Sequence, residues 1–224
     1  MIIEFNRVSK SYGKHNKALS DVSFAVEAGE MLFLTGHSGA GKTSILKLIM
    51  KIEDISYGQA TVNGYGLKNL KGKQLPKYRQ GLGMIFQDHR LLENRTILDN
   101  VALSLLIRGY SKAESQKQAR VVLQQVGLED KLKFYPDQLS SGQQQRVGIA
   151  RAIVCKPDIL LADEPTGNLD PDLSLELMEI FMKINETGTT VVIASHDLIL
   201  IKRLRKRVLV LDSGQLIDDY RPDP

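Results

Sequence analysis

Cys155 is the only cysteine in this chain of 224 residues, and tryptophan is absent. One thiol excludes an internal disulfide or a cysteine-rich metal framework and points to a reducing compartment. Cys155 follows Ala150-Arg151-Ala152-Ile153-Val154 in a helical pattern and reads as a buried thiol rather than a reactive one. No stretch approaches the roughly 20 apolar residues that a membrane-spanning helix needs, so work at a membrane would require a partner to supply the span. Charge comes too early in Met1–Arg7 for a signal peptide. His15, His37, His89 and His196 lack metal-ligand spacing with the cysteine or with one another, which predicts no structural zinc. Repeats, low-complexity tracts and flexible linkers are missing too. Charge of one sign is scarce: Lys and Arg total 30 against 26 Asp and Glu, a balance of +4. That excess reads as a solvated surface before it reads as a site for nucleic acid or anionic lipid.

What is present is ordinary globular material, 42% hydrophobic and 25% charged. The length suits one substantial α/β domain with room for an inserted subdomain. Short β-type runs open the chain at Ile2–Phe5 and Asp21–Val26. Met31–Leu34 then forms a fully apolar strand that runs into a glycine-rich loop. Ser44–Met50 has helical periodicity, with Ile45, Leu46, Leu48 and Ile49 on one side. Gln59–Val62 and Gly83–Phe86 predict further strands, separated by a basic stretch from Lys68 to Arg79 that reads as a solvated loop. From Asp88 to about Val154 the character is helical. Ser111-Lys112-Ala113-Glu114 has the form of a capping box, Gly127 suits the turn that ends that helix, and Ser140 begins another. Strands return at Ile159–Leu161, Thr190–Ala194 and Val208–Leu211. Asp170 before Pro171 opens a helix to about Asn185. Strands alternating with helices imply a mostly parallel sheet covered on both faces. The helical block between two sheet-forming portions reads as an insertion.

Two segments carry phosphate chemistry. Gly36-His37-Ser38-Gly39-Ala40-Gly41-Lys42-Thr43 fits G-x-x-x-x-G-K-[ST] and lies between a strand and a helix, the context that pattern requires. Its glycines let the backbone wrap a phosphate and aim amides at it, and the helix terminus adds partial positive charge. Lys42 supplies a full charge for the β- and γ-phosphates, and Thr43 a hydroxyl for Mg²⁺. Ser44 completes this set of ATP-binding candidates. Far downstream, Asp163 and Glu164 end the apolar run Ile159-Leu160-Leu161-Ala162. A central strand would place both acids at its carboxyl end, where open α/β sheets bind ligands. Asp163 suits the metal, and Glu164 is the candidate general base for a hydrolytic water.

Leu139-Ser140-Ser141-Gly142-Gln143, upstream of the acidic pair, resembles the signature motif of ABC-type ATPases. Gln87 stands where that family has its Q-loop, Asn168-Leu169-Asp170 resembles its D-loop, and His196 its switch histidine. Tyr12 in Lys10-Ser11-Tyr12-Gly13 is similar to the aromatic that stacks on adenine. Alone, Gln87 could be a strand-end amide and His196 a core histidine. Their joint order makes the resemblance.

It implies a P-loop NTPase (RecA-like) core with an antiparallel β subdomain and an inserted α-helical subdomain. Residues 1–87 and 155–224 would form the ATP-binding core and 88–154 the helical subdomain. It also implies a head-to-tail homodimer that sandwiches ATP. Ser140, Gly142 and Gln143 of one copy, with Asp170 nearby, would face the γ-phosphate held by the loop of the other. Gln87 would sense Mg²⁺ and the attacking water, and His196 would clamp the γ-phosphate. The family usually has glycine where Ser141 stands; an ordinary helical conformation is expected there.

The contexts of His37 and His89, Arg95–Val101 and Leu161–Asp170 are similar to the bacterial cell-division branch of this family. The last of these is shared with ATPases of lipoprotein-release and macrolide-efflux systems, which stand as the alternative. The cell-division resemblance implies the integral membrane protein FtsX as partner, with other divisome proteins, and no nucleic acid. FtsX would dock in a groove between the helical subdomain and the Q-loop, at the cytoplasmic face of the inner membrane. Lys202–Arg207, at the end of the helix after His196, reads as a solvated face matched to the helix dipole, with anionic lipid or a basic partner-facing edge as the alternatives.

Overall fold

Alternate residues of the central strands feed two different cores, and this places the sheet between two layers. In the computed structural model, Phe33, Leu160, Ala162, Val191 and Ile193 pack on one side, against helices. Leu32, Leu34, Ile159, Leu161, Val192 and Ala194 pack on the other. Side chains alternate across a strand, so a run that is apolar throughout must be covered on both faces. The structure describes every residue except 14, 15, 168, 223 and 224, and nothing of the Asn16 side chain. His15 and Asn168 therefore lie outside the described residues.

The elements in order are β1 (Ile3–Tyr12), β2 (Asn16–Val26), β3 (Met31–Thr35), α1 (Lys42–Ile49), β4 (Tyr57–Val62), β5 (Tyr65–Gly66), α2 (Gln74–Gln80) and β6 (Leu82–Ile85). Next come α3 (Ile97–Ile107), α4 (Lys112–Gln125), α5 (Ser141–Ile153), β7 (Ile159–Asp163), α6 (Pro171–Glu186), β8 (Thr190–Ala194), α7 (Leu198–Leu204), β9 (Arg207–Asp212) and β10 (Gln215–Tyr220). One sheet has the order β10-β9-β3-β8-β7-β6 and the other β2-β1-β4-β5. The first is parallel from β9 to β6, with β10 antiparallel on β9. The second is antiparallel throughout. The mostly parallel sheet, the antiparallel β layer and the helical run α3–α5 between β6 and β7 are the expected α/β architecture.

Local predictions hold where caps are strong. Ser111 Oγ accepts from the Glu114 amide, and Asp170 accepts from the Asp172 and Leu173 amides ahead of Pro171. The return bond of a box at Ser111 is replaced by Glu114 accepting from Gln118. The reciprocal box forms at Ser140 instead, where Gln143 closes it. Ser141 is the first residue of α5 with no left-handed backbone, as expected.

Other expectations fail for tertiary reasons. The basic stretch 68–79 is not a solvated loop. It contains α2, because Tyr78 is buried with its hydroxyl on the Ile49 carbonyl and Arg79 bonds the carbonyls of Met50 and Lys51. The run Lys202–Arg207 is not one dipole-matched face. The helix stops at Leu204, Arg205 is left-handed, and Arg207 lies in β9, paired with Glu30 and Asp219. Those carboxylates hold the Arg207 pKa above its ordinary value, the Asp219 hydrogen bond acting most strongly. Cys155 is half-buried, and burial pushes its thiol pKa up. No helix among the described residues is long and apolar enough to cross a membrane.

Candidate active site

Parallel register brings the remote segments together. Leu34 lies beside Ala194, Ala194 beside Asp163, and Ala162 beside Ile85. The segments leaving these strand ends therefore converge on one edge: Gly36–Thr43 after β3, Gln87 after β6, Glu164 after β7 and His196 after β8. His37–Ser44, with Gln87, Asp163, Glu164, His196 and Ala18, line a cleft of about 470 Å³.

The loop from Gly36 to Thr43 is shaped by two glycines that no other residue could replace without movement. Gly36 has φ 144, and a Cβ there would lie 2.1 Å from the Leu211 carbonyl. Gly41 has φ 110 and lies under Ala18 and Leu19. Lys42 folds back over the loop, its ammonium donating to the Gly36 carbonyl at 2.7 Å. The same ammonium lies 3.5 Å from Glu164 Oε1, with the two side chains only 8% and 14% exposed. The other oxygen, Glu164 Oε2, is 2.8 Å from His196 Nδ1 and accepts from the His196 amide at 3.3 Å.

Glu164 has φ 47, a left-handed backbone that costs a residue with a side chain about 1–3 kcal/mol. Its amide bonds the Ala194 carbonyl, and its own carbonyl accepts from Gly167. These bonds hold a turn that swings the carboxylate from the strand end to a place between Lys42 and His196. One residue earlier, Asp163 accepts from the Thr43 hydroxyl at 3.2 Å. Burial pushes the Asp163 pKa up, a rise partly offset by that hydroxyl and increased by the Glu164 charge. A desolvated carboxylate beside a hydroxyl gains from a hard cation, so this pair fits Mg²⁺, which prefers oxygen ligands and keeps waters and phosphates for the rest.

His37 turns outward, with Nε2 2.6 Å from Asp212 Oδ1 and Nδ1 2.7 Å from the Ser38 carbonyl. Those contacts, the Ser38 carbonyl first, raise its pKa. Tyr12 is not among the lining residues but borders the cleft at Ser44, with its hydroxyl on Glu53 and the Lys10 ammonium 4.9 Å from its ring centre. Burial is the first cause that raises the Tyr12 pKa.

The structure does not bring Ser140, Gly142 and Gln143 to this cleft. They sit at the start of α5, where the Ser140 and Gln143 side chains cap each other's amides. A Cβ on Gly142 would lie 3.5 Å from Leu173 and 3.7 Å from Leu169. Asp170 is likewise occupied as the cap of α6. Ala18, Asp212 and Glu53 are the neighbours that sequence reading missed. Each comes from a distant element, and none belongs to a recognisable pattern. A larger groove of about 830 Å³ runs between α4 and α6, remote from all these groups.

A glycine loop, a lysine and a strand-end acidic pair on a parallel sheet define a P-loop nucleotide-binding domain. The family model described as ABC transporter matches residues 19–167. The chain belongs to the ABC transporter family, as an ATP-binding ATPase resembling FtsE. The cell division ATP-binding protein FtsE of Escherichia coli is 50% identical over 215 residues, covering 96% of this chain and 97% of its own. The FtsE of Bacillus subtilis is 42% identical, covering 97% and 96%. An ATP-binding cassette solved as a dimer in a post-hydrolysis state with ADP and Pi superposes with a TM-score of 0.90. It is 32% identical, with 99% of each chain covered.

Proposed function

We propose that this chain is the ATPase subunit of a membrane-associated complex in bacterial cell division. On this reading two copies close head to tail on ATP, and the movement passes to the integral membrane protein FtsX to control cell-wall hydrolysis at the septum. The chain would sit peripherally at the cytoplasmic face of the inner membrane, held by that partner. Likeness to FtsE over nearly the whole length supports the division role. The helical run 88–154 would act as the subdomain that carries the signature residues.

The observation that carries the chemistry is the position of Glu164, between Lys42 and His196 and one residue from the Asp163–Thr43 pair. ATP phosphates would draw the Lys42 ammonium from the Gly36 carbonyl, since they offer it a full opposite charge where the carbonyl offers only a dipole. The amides of His37–Thr43 and the hydroxyl of Ser44 would complete the cradle. Thr43, Gln87 and Asp163 would hold Mg²⁺, which neutralises developing phosphate charge when bound. Glu164 would take the proton of the attacking water, and His196 would orient the γ-phosphate. The Tyr12 ring would stack on adenine.

Glu164→Gln tests this reading. General-base removal costs about 10²–10⁴ in rate, so turnover should fall by that much while ATP still binds. Size-exclusion chromatography with Mg·ATP should then show a trapped dimer. A variant that turns over normally, or binds ATP and stays monomeric with its membrane partner present, would refute it.

A further inference from the structure

Outside the cleft, one half-buried arginine holds the segment after Gln87 in an unfavourable shape. His89 and Arg90 are both left-handed, with φ 54 and 49, a region that L-residues seldom occupy. His89 Nδ1 is buried with no hydrogen-bond partner. A short segment carrying both features relaxes unless something external over-determines it. That group is Arg151, in the last turn of α5. Its two terminal nitrogens donate separately to the Arg90 and His89 carbonyls, each at 2.5 Å. Burial pushes the Arg151 pKa down. The half-buried cation grips two main-chain oxygens.

The same helix starts at the far end with Ser140, and it is continuous over Ser141–Ile153. A straight helix transmits a displacement of one end to the other, because its backbone bonds are closed within it. We propose that Arg151 is a positioning residue: through the His89 and Arg90 carbonyls it sets where Gln87 stands, and it ties that position to the Ser140 end of α5. This rests on the proposed role of Gln87 as a Mg²⁺ ligand. The rival is a plain staple, in which Arg151 fastens α5 to the core and has no bearing on the metal.

Hydrogen exchange of the full-length protein and the Mg²⁺ dependence of ATP binding separate the two. Arg151→Lys keeps the charge but cannot span both carbonyls. Amides 87–90 should then exchange about tenfold faster, with the strands of the parallel sheet unchanged. The Mg²⁺ needed for half-maximal ATP binding should rise by about tenfold, as for other groups that orient metal ligands. In a Gln87→Ala background Arg151→Lys should add nothing further. Faster exchange with an unmoved Mg²⁺ requirement, or effects that simply multiply in the double variant, would overturn the proposal in favour of the staple. Should Arg151→Lys not fold, Arg151→Gln, whose single amide group cannot span both carbonyls, should give the same Mg²⁺ shift; no shift there overturns it equally. If Gln87→Ala alone leaves the Mg²⁺ requirement unchanged, the metal role of Gln87 fails. The exchange at 87–90 would still report on the grip of Arg151.

Discussion

The phosphate loop and the Ser140–Gln143 turn are both helix N-termini built from small and polar residues, yet the fold treats them oppositely. Around Lys42 the chain supplies a closed set of partners from β3, β7 and β8, and Lys42 and Glu164 are nearly out of solvent. Around Ser140 only apolar Leu169 and Leu173 come close from outside the turn, and exposed Ser140 and half-buried Gln143 satisfy each other's amides. One end is half of an active site already assembled. The other has the right groups, but no phosphate-holding residue of its own chain within reach. A second copy in head-to-tail contact would resolve that asymmetry, and the comparison can be broken by experiment.

Ser140→Ala should give the largest difference between the two ends. The Ser140 hydroxyl accepts from Gln143 and keeps its own proton to donate. Losing a donor to the transition state costs about 10²–10³ in turnover. ATP affinity of a single chain should not change, and loss of the cap should cost about 1 kcal/mol of stability. Lys42→Ala should do the reverse, weakening ATP binding about 10- to 100-fold through the lost charge-assisted bond. Mixing the two variants is the sharpest form of the comparison, because a head-to-tail dimer of one of each regains one intact site. Recovered turnover in the mixture, against none in either alone, is the expected result. No recovery would mean that the two ends do not meet across copies.

Asp163→Asn sharpens the chemistry of the first region. A carboxylate whose folded pKa is raised by burial costs stability as pH rises through that range, since the folded state holds the proton more tightly than the unfolded one. Replacing it with the neutral amide should therefore raise the melting temperature at neutral pH in a chelator, and abolish the further rise that Mg²⁺·ATP gives the parent. A lower melting temperature in chelator would refute the desolvation argument. The smallest effect concerns His37, whose folded pKa lies above its ordinary 6.5. Its pairing with Asp212 is fully present below the unfolded value and is lost as pH rises through the raised one. The pair is exposed, so the change in melting temperature should be slight, and Asp212→Asn should remove it.

Sequence patterns were legible wherever the determining contacts are local. The helix starts at Ser111, Ser140 and Asp170 are each set by a side chain and an amide two or three residues on. The strands β3, β7 and β8 are apolar runs with no other use. By contrast α2 was hidden, because its signals are Tyr78 and Arg79 reaching carbonyls of α1's last turn and the residues after it, some 28 positions back. Likewise β10 depends on pairing with β9, and its own residues are mostly exposed.

The chain's order of residues alone determined that it would bind a triphosphate, since a glycine-lysine loop between strand and helix acts through its own backbone. It also determined which acids would accompany that loop, because both end a strand too apolar to lie anywhere but the sheet centre. Only the tertiary structure decided that Glu164 turns left-handed to lie between Lys42 and His196. It alone placed Arg151 against the segment after Gln87, and left Ser140 outside the cleft of its own chain. Such arrangements depend on strand register and helix packing between distant segments, which no local run of residues encodes.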